Sequence, residues 1–304
     1  MYFCNVHARA GPHAGEGARS GRLDMSALPS GKLLAGGALA AWLLPMLVEE
    51  WNRWLNSHHE HDEEYEKVDG SGTLKVGSCR PRRLSDLARG TLSCLAFLAA
   101  CDLGVAQRMK DDTSRYFLLH TLANAVITLS SYKEMKAVLC DPIGSGVGAC
   151  NVLPTYMIPC LFTYHLSAFR NVPLEEWQHH VIFGLGLAGP QLAYCVGPVQ
   201  NAVGFFMCGL PGGVDYALLW LVKEGLLRSK AEKVWNSRIN CWCRAPGIML
   251  SSYCLYLSAK YAKVKGPSTT VASLAFLLAS FNGQYYMQKV IANTSIKCGG
   301  QGAC

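Results

Sequence analysis

Charge is scarce in this sequence. Asp, Glu, Lys and Arg make up 16% of its 304 residues against 50% hydrophobic side chains, more apolar surface than an ordinary soluble domain of this size can hide. Also missing is the ten-residue alternation of apolar and polar positions that marks barrel strands, so any segment crossing a bilayer must satisfy its backbone as a helix. Histidine is too sparse for the HxxxH and HxxHH boxes of iron hydroxylases and desaturases, and matched histidine pairs for haem are lacking too. The C-x-C of Cys241 and Cys243 has no second pair at zinc-finger spacing, and the terminal KCGGQGAC is no prenylation box. These absences predict an all-α, polytopic transmembrane helical bundle with no metal and no cofactor.

What is present follows the same line. A hydrocarbon core about 30 Å thick takes a helix of roughly 20 mainly apolar residues. Eight windows qualify, near 32–49, 88–107, 116–134, 152–170, 180–197, 199–222, 245–263 and 269–290. The first is short and the second holds Asp102, whose carboxylate costs about 2.5–3.5 kcal/mol in mid-membrane and should face other helices or water, so seven or eight spans are expected. Cys94, Cys101, Cys160, Cys195, Cys208 and Cys254 fall inside windows, where they read as small packing residues. The net charge of +7 sits beside apolar segments without an aromatic-interleaved stripe, which favours membrane lipid headgroups over nucleic acid as partners.

Five segments follow: a flexible tail at 1–31, a first span at 32–50, a polar loop at 51–86, a transmembrane domain at 87–291 and a C-terminal tail at 292–304. The N-terminal tail has a transit-peptide-like composition, and Met25 offers a second start. In the polar loop the cluster HHEHDEEYE at 58–66 reads as a solvated acidic stretch. Short connections at 108–115 and 171–178 make the helices they join antiparallel neighbours. Lys223, Arg228, Lys230, Lys233, Arg238 and Arg244 crowd one connection, and the positive-inside rule then puts both termini in the cytosol. On that side Asn293, in the acceptor pattern NTS, would carry no glycan.

Ionisable groups at membrane depth are costly and usually functional or partnered. His120, His165, His179 and His180 are of this kind, and the turn in YHLSAFRNVPLEEWQHHVIFG brings His165 towards the His179–His180 pair. A neutral imidazole can take a proton from a lipid amine or hydroxyl, which suits acyl transfer; the plainer role is hydrogen bonding between helices. The window GPVQNAVGFFMCGLPGGVDYALLWLVKEG sets Asn201, Pro211, Gly212, Gly213 and Asp215 in an apolar helix, and its Pro-Gly-Gly should kink or interrupt it. A broken helix lining a cavity would present Asp215 to that cavity.

The stretch RYFLLHTLANAVIT, the pair Asp141–Pro142, the run EEWQHH and the later Asp215–Tyr216 resemble the TLC-domain proteins, the family of TRAM and the longevity-assurance ceramide synthases, over roughly 86–290. The resemblance implies catalytic roles for His179, His180 and Asp215 in transfer of an acyl chain from acyl-CoA to a sphingoid base, while the polar residues His165, His120 and Asn201 of the apolar windows are the candidates for binding substrate. The His-Asp dipeptide of that signature is absent before Asp215, where Pro211 and Gly212 stand, so the chain looks closer to members that sense, carry or regulate membrane lipids. The expected function is therefore lipid handling or membrane homeostasis in the endoplasmic reticulum or another endomembrane, with N-acyltransferase and transporter as alternatives.

Overall fold

The computed structural model describes residues 31–57, 83–146, 150–169, 174–193, 196–261 and 268–298, with 31–42 given by backbone alone. The N-terminal tail with Met25, the HHEHDEEYE cluster, Cys195 and Cys304 lie outside these residues.

Every regular element among the described residues is helical. In chain order they are α1 (Gly31–Ser57), α2 (Leu84–Gly104), α3 (Asp112–Cys140), α4 (Leu153–Ala168), α5 (Leu174–Phe183), α6 (Gly189–Ala193), α7 (Pro198–Gly204), α8 (Leu210–Lys223), α9 (Ser229–Ile239), α10 (Ala245–Tyr261) and α11 (Thr269–Cys298). Each apolar window falls largely within a helical run. Two of these runs, Leu84–Arg108 and Pro198–Lys223, are long and apolar enough by themselves to cross a membrane. Helix α1 runs to Ser57, past the boundary expected at 50, and α11 continues to Cys298, so Asn293 sits within a helix rather than in a tail.

The expected break at Pro211 is not a break. The chain stays helical from Pro198 to Lys223 and widens into a π turn at Phe205–Gly209. The same device recurs at Gly184–Ala188 before Pro190 and at Asn240–Arg244 before Pro246, each π turn ending two residues ahead of its proline. Proline offers no N–H and its ring clashes with the carbonyl four residues back, here Gly186, Met207 and Trp242, all within the π turns. One extra residue per turn moves that carbonyl aside, so the helix is distorted ahead of the proline without being interrupted.

Helix α3 lies at the centre, packed on α1, α2 and α4 on one side and on α7, α8 and α10 on the other. Leu119, Ala123 and Ile127 of α3 meet Leu98 of α2 and Tyr156 and Met157 of α4 in the larger apolar cluster. Gly90 makes the α2–α4 contact possible, because a Cβ there would stand 2.3 Å from the Tyr156 ring. Cys94, Cys160 and Cys254 are buried without disulfides.

Beside its apolar core, the bundle buries several polar and charged side chains and exposes large apolar ones. Asp102, His120, Asn124, His165, Asp215 and Arg244 are buried, while Leu92, Leu103, Tyr253, Leu274, Leu277 and Phe281 are exposed. On α11, Val271, Leu274, Leu277, Phe281 and Tyr285 repeat at three and four residues and form one outward apolar face. Contiguous apolar surface of this kind marks contact with lipid or with another protein.

Candidate functional site

Three of the four membrane-window histidines meet inside the bundle. His120 comes from α3, His165 from α4 and His180 from α5, with ring centroids 5.3 Å apart for His120 and His165 and 4.2 Å for His165 and His180. The His179 side chain is outside the described set. Two tyrosines complete the aromatic cluster: Tyr116, one turn before His120 at 3.9 Å, and Tyr216 of α8 at 4.5 Å from His120.

Hydrogen bonding fixes the chemistry of His120. Its Nδ1 lies 2.8 Å from the Tyr116 carbonyl. A carbonyl only accepts, so Nδ1 carries a proton, and in the neutral ring the lone pair is then on Nε2. His165 is enclosed, with no hydrogen bond of normal geometry at either nitrogen and the Leu161 carbonyl of its own helix as the polar group at hand.

Next to this cluster is a cavity of about 310 Å³. His120, His180, Asn124, Tyr216 and Arg244 line one part of it, while apolar side chains such as Phe162, Leu255 and Leu278 make most of the rest. Val271 and Leu274 of α11 also line it and are more than half exposed, so the cavity lining reaches the surface of the bundle beside α11. Its volume is at the small end of the roughly 300–1,000 Å³ usual for small-molecule sites.

The remaining sequence candidates lie elsewhere. His165 stands behind His120 and His180 rather than on the cavity wall. Asp215 does not reach the cavity either; its Oδ2 lies 3.4 Å from Arg244 Nη1, and Arg244 occupies the lining position. Asn201 is a tie between helices: its amide donates to the Asn151 carbonyl at 2.7 Å and to Glu134 of α3. The lining amide of α7 is the neighbouring Gln200, which donates to Thr155 Oγ1 at 2.6 Å.

Arg244 is the residue that sequence reasoning misplaced. Counted as a flanking charge for orientation, it is 1% exposed and ends a polar ladder along one helix face. Asn236 Nδ2 donates to Glu232 Oε1 at 3.2 Å, Asn240 Nδ2 donates to Asn236, and Arg244 Nη1 donates to Asn240 Oδ1 at 3.1 Å. The signal was present as polar residues at 232, 236, 240 and 244, a four-residue spacing that puts them on one stripe. Without Arg244, the cluster of basic residues that set the orientation loses a member.

Glu232, at the far end of the ladder and outside the apolar windows, is buried beside Lys233, whose Nζ is 3.0 Å away. Burial pushes its carboxyl above the usual range, against the opposing pull of Lys233. The folded protein then holds this proton more tightly than the unfolded chain. Its contribution to stability is greatest below the ordinary carboxylate pKa and is lost as pH rises through the raised value. We therefore expect Glu232→Gln to gain in thermal midpoint over the native protein as pH rises from about 4 to about 7. A midpoint difference constant over that interval would contradict the assignment.

Among the described residues no group of three or more His, Cys, Asp or Glu side chains is placed to hold a metal ion. No family model, curated protein or solved structure matches this chain. The functional reading therefore stands on the geometry of the site.

Proposed function

We propose that this protein is a polytopic, TLC-like membrane protein that takes a lipid chain into its lateral cavity and serves lipid handling, sensing or membrane homeostasis in an endomembrane such as the endoplasmic reticulum. The observation that carries the reading is the combination of buried charged and polar groups with a broad exposed apolar surface. Large apolar side chains face outward on α2, α10 and α11 while carboxylates, histidines and an arginine are inside. In water that arrangement exposes what should be hidden; in hydrocarbon it is the favourable one.

Buried polar groups also lower the mean hydropathy of helices other than the runs Leu84–Arg108 and Pro198–Lys223. Helix α3 holds His120, Asn124, Ser130 and Ser131 on its buried side, and a composition average counts them as if they faced lipid. A mainly apolar cavity whose lining reaches the surface beside α11 would give an acyl chain a route from bilayer to site. Anionic headgroups remain the counter-charge for the basic connection at 223–238, and no nucleic-acid partner is proposed.

A second reading, acyl transfer of the ceramide synthase type, is favoured by the His120 tautomer. His120 lines the cavity, and a ring protonated on Nδ1 and neutral has at Nε2 the lone pair needed to take a proton from an amine or hydroxyl. Acyl-CoA would be the donor, and Asp215 would act through Arg244. Transport along Asp102 draws no support, since that carboxylate is engaged by Arg115 and Tyr164.

The tests are direct. The membrane reading expects the chain to stay with vesicles through alkaline carbonate and to carry lipid out in mild detergent; recovery as a monodisperse, lipid-free species in plain buffer would end it. The enzymatic reading expects His120→Ala to abolish transfer of a labelled acyl chain, and unchanged turnover would remove it.

A further inference from the structure

The cavity has a polar end and an apolar end. Arg244 lies 3.4 Å from Asp215 of α8, whose neighbour Tyr216 packs on His120 at 4.5 Å, so Arg244, Tyr216 and His120 line the same end. His180 joins them across His165. At the other end Leu255 and Ala272 pack in one apolar cluster, with Val271 next in the lining. Gln200 lines that end too, but its amide is committed within the protein: Nε2 donates to Thr155 Oγ1 and Oε1 accepts from the Val196 N–H at 3.3 Å. Leu255 follows Arg244 by eleven residues of helix, which separates the two ends by about 16 Å.

Each end has a level in the membrane. Helix α9, the π turn at Asn240–Arg244 and α10 form one run. Near its start Arg238 sits over the Trp235 ring at 5.8 Å, and Trp242 is 81% exposed. Near its finish Lys260 lies 5.5 Å from the Tyr256 ring and 5.1 Å from that of Tyr261. Helix α11 runs antiparallel beside it, with Gly283 against Ala245 and Ser280 beside Ser252, so Lys289 and the Tyr285 ring 4.9 Å from it come level with the turn that holds Trp242. Aromatic rings paired with long cationic side chains are what a membrane–water interface favours. From Arg238 to Lys260 is twenty-two residues, about 33 Å, which sets both cations just outside a hydrocarbon core about 30 Å thick. Exposed Met249, Leu250, Leu274 and Leu277 lie between the two levels. Arg244 is then about 9 Å from the Arg238 level and about 24 Å from the Lys260 level.

We infer that a lipid lies in the cavity with the direction of the leaflet on the α9 side, its polar head beside Arg244, Tyr216 and His120 and its chain running towards Leu255 and Val271. This rests on the cavity holding a lipid chain, and it adds which leaflet supplies the lipid and which way the lipid points. The reverse direction would bury the head among apolar side chains, where its hydrogen bonds go unmade. Val271 and Leu274 are at once lining and exposed, so a chain longer than the cavity passes out into the bilayer at the apolar end.

The experiment uses the full chain in phosphatidylcholine vesicles and two hexadecanol analogues, one with a photoreactive diazirine beside the hydroxyl and one with it at the end of the chain. After irradiation, labelled peptides are identified by mass spectrometry, with and without excess hexadecanol. The head probe should label peptides around Asn124, Tyr216 and Arg244, and the chain-end probe those around Leu255 and Leu274, each favouring its own end about tenfold and each competed by hexadecanol.

The opposite pattern, or equal labelling of both ends by both probes, would overturn the assigned direction and leave the lipid cavity standing. Labelling confined to outward residues such as Leu277 and Phe281, and not competed, would overturn the direction together with the cavity reading on which it rests.

Discussion

Replacing Arg244 by methionine will destabilise the protein by about 3–5 kcal/mol, the cost of leaving one partner of a buried ion pair without its counter-charge. The stranded group is Asp215, 3% exposed, whose Oδ2 faces Arg244 and whose Oδ1 has no donor at all. The ladder loses its end as well, since Asn240 Oδ1 gives up its guanidinium donor. The double variant Arg244→Met, Asp215→Leu should recover most of the loss, because removing both charges removes the desolvation cost along with the attraction. Chemical unfolding in detergent measures both. If the single variant costs under 1 kcal/mol, or the double variant is no better than the single, the pair is not the buried unit the geometry describes.

Helices were legible in the sequence and their interiors were not. The eight apolar windows each fell in a helical run because length and apolar composition are local properties. The histidines were found for a similar reason: an ionisable group in an apolar window is conspicuous wherever its partner lies. Arg244 escaped because a basic residue at a window's edge has a ready explanation as a flanking charge, and only the i, i+4 register with Asn240, Asn236 and Glu232 argues otherwise. Asn201 was misread in the opposite direction. Its window was right, but the Glu134 and Asn151 groups that claim it are remote in sequence, and one-dimensional pattern holds nothing about them. At Pro211 the local rule was sound and its outcome was open, since a proline clash is relieved either by bending the helix or by widening the preceding turn. The recurrence of the wide turn before Pro190 and Pro246 shows which solution this chain uses.

The other large effect is expected at Asp102, which the sequence marked as the costliest residue of its window. Its carboxylate accepts from Arg115 Nε at 2.6 Å and from Nη2 at 2.5 Å, and Tyr164 donates its hydroxyl at 2.8 Å. One carboxylate thereby joins α2, α3 and α4, the three helices around the larger apolar cluster. Arg115 is positioned further by the Phe169 ring, 4.7 Å from its guanidinium carbon. Hydrogen bonds to charged groups contribute about 1.5–3 kcal/mol each, and the partly exposed Arg115 side chain keeps some of its solvation when the partner goes. Asp102→Ala should therefore cost about 2–3 kcal/mol. Tyr164→Phe alone should cost about 1 kcal/mol, since it removes one donor and leaves the fork intact. A double-mutant cycle of Asp102→Ala with Arg115→Leu isolates the pair, and a coupling of at least about 1 kcal/mol is expected for groups in direct contact. Additive losses in that cycle would mean that the three helices are held by their apolar faces alone, with Asp102 tolerated at this depth rather than joining them.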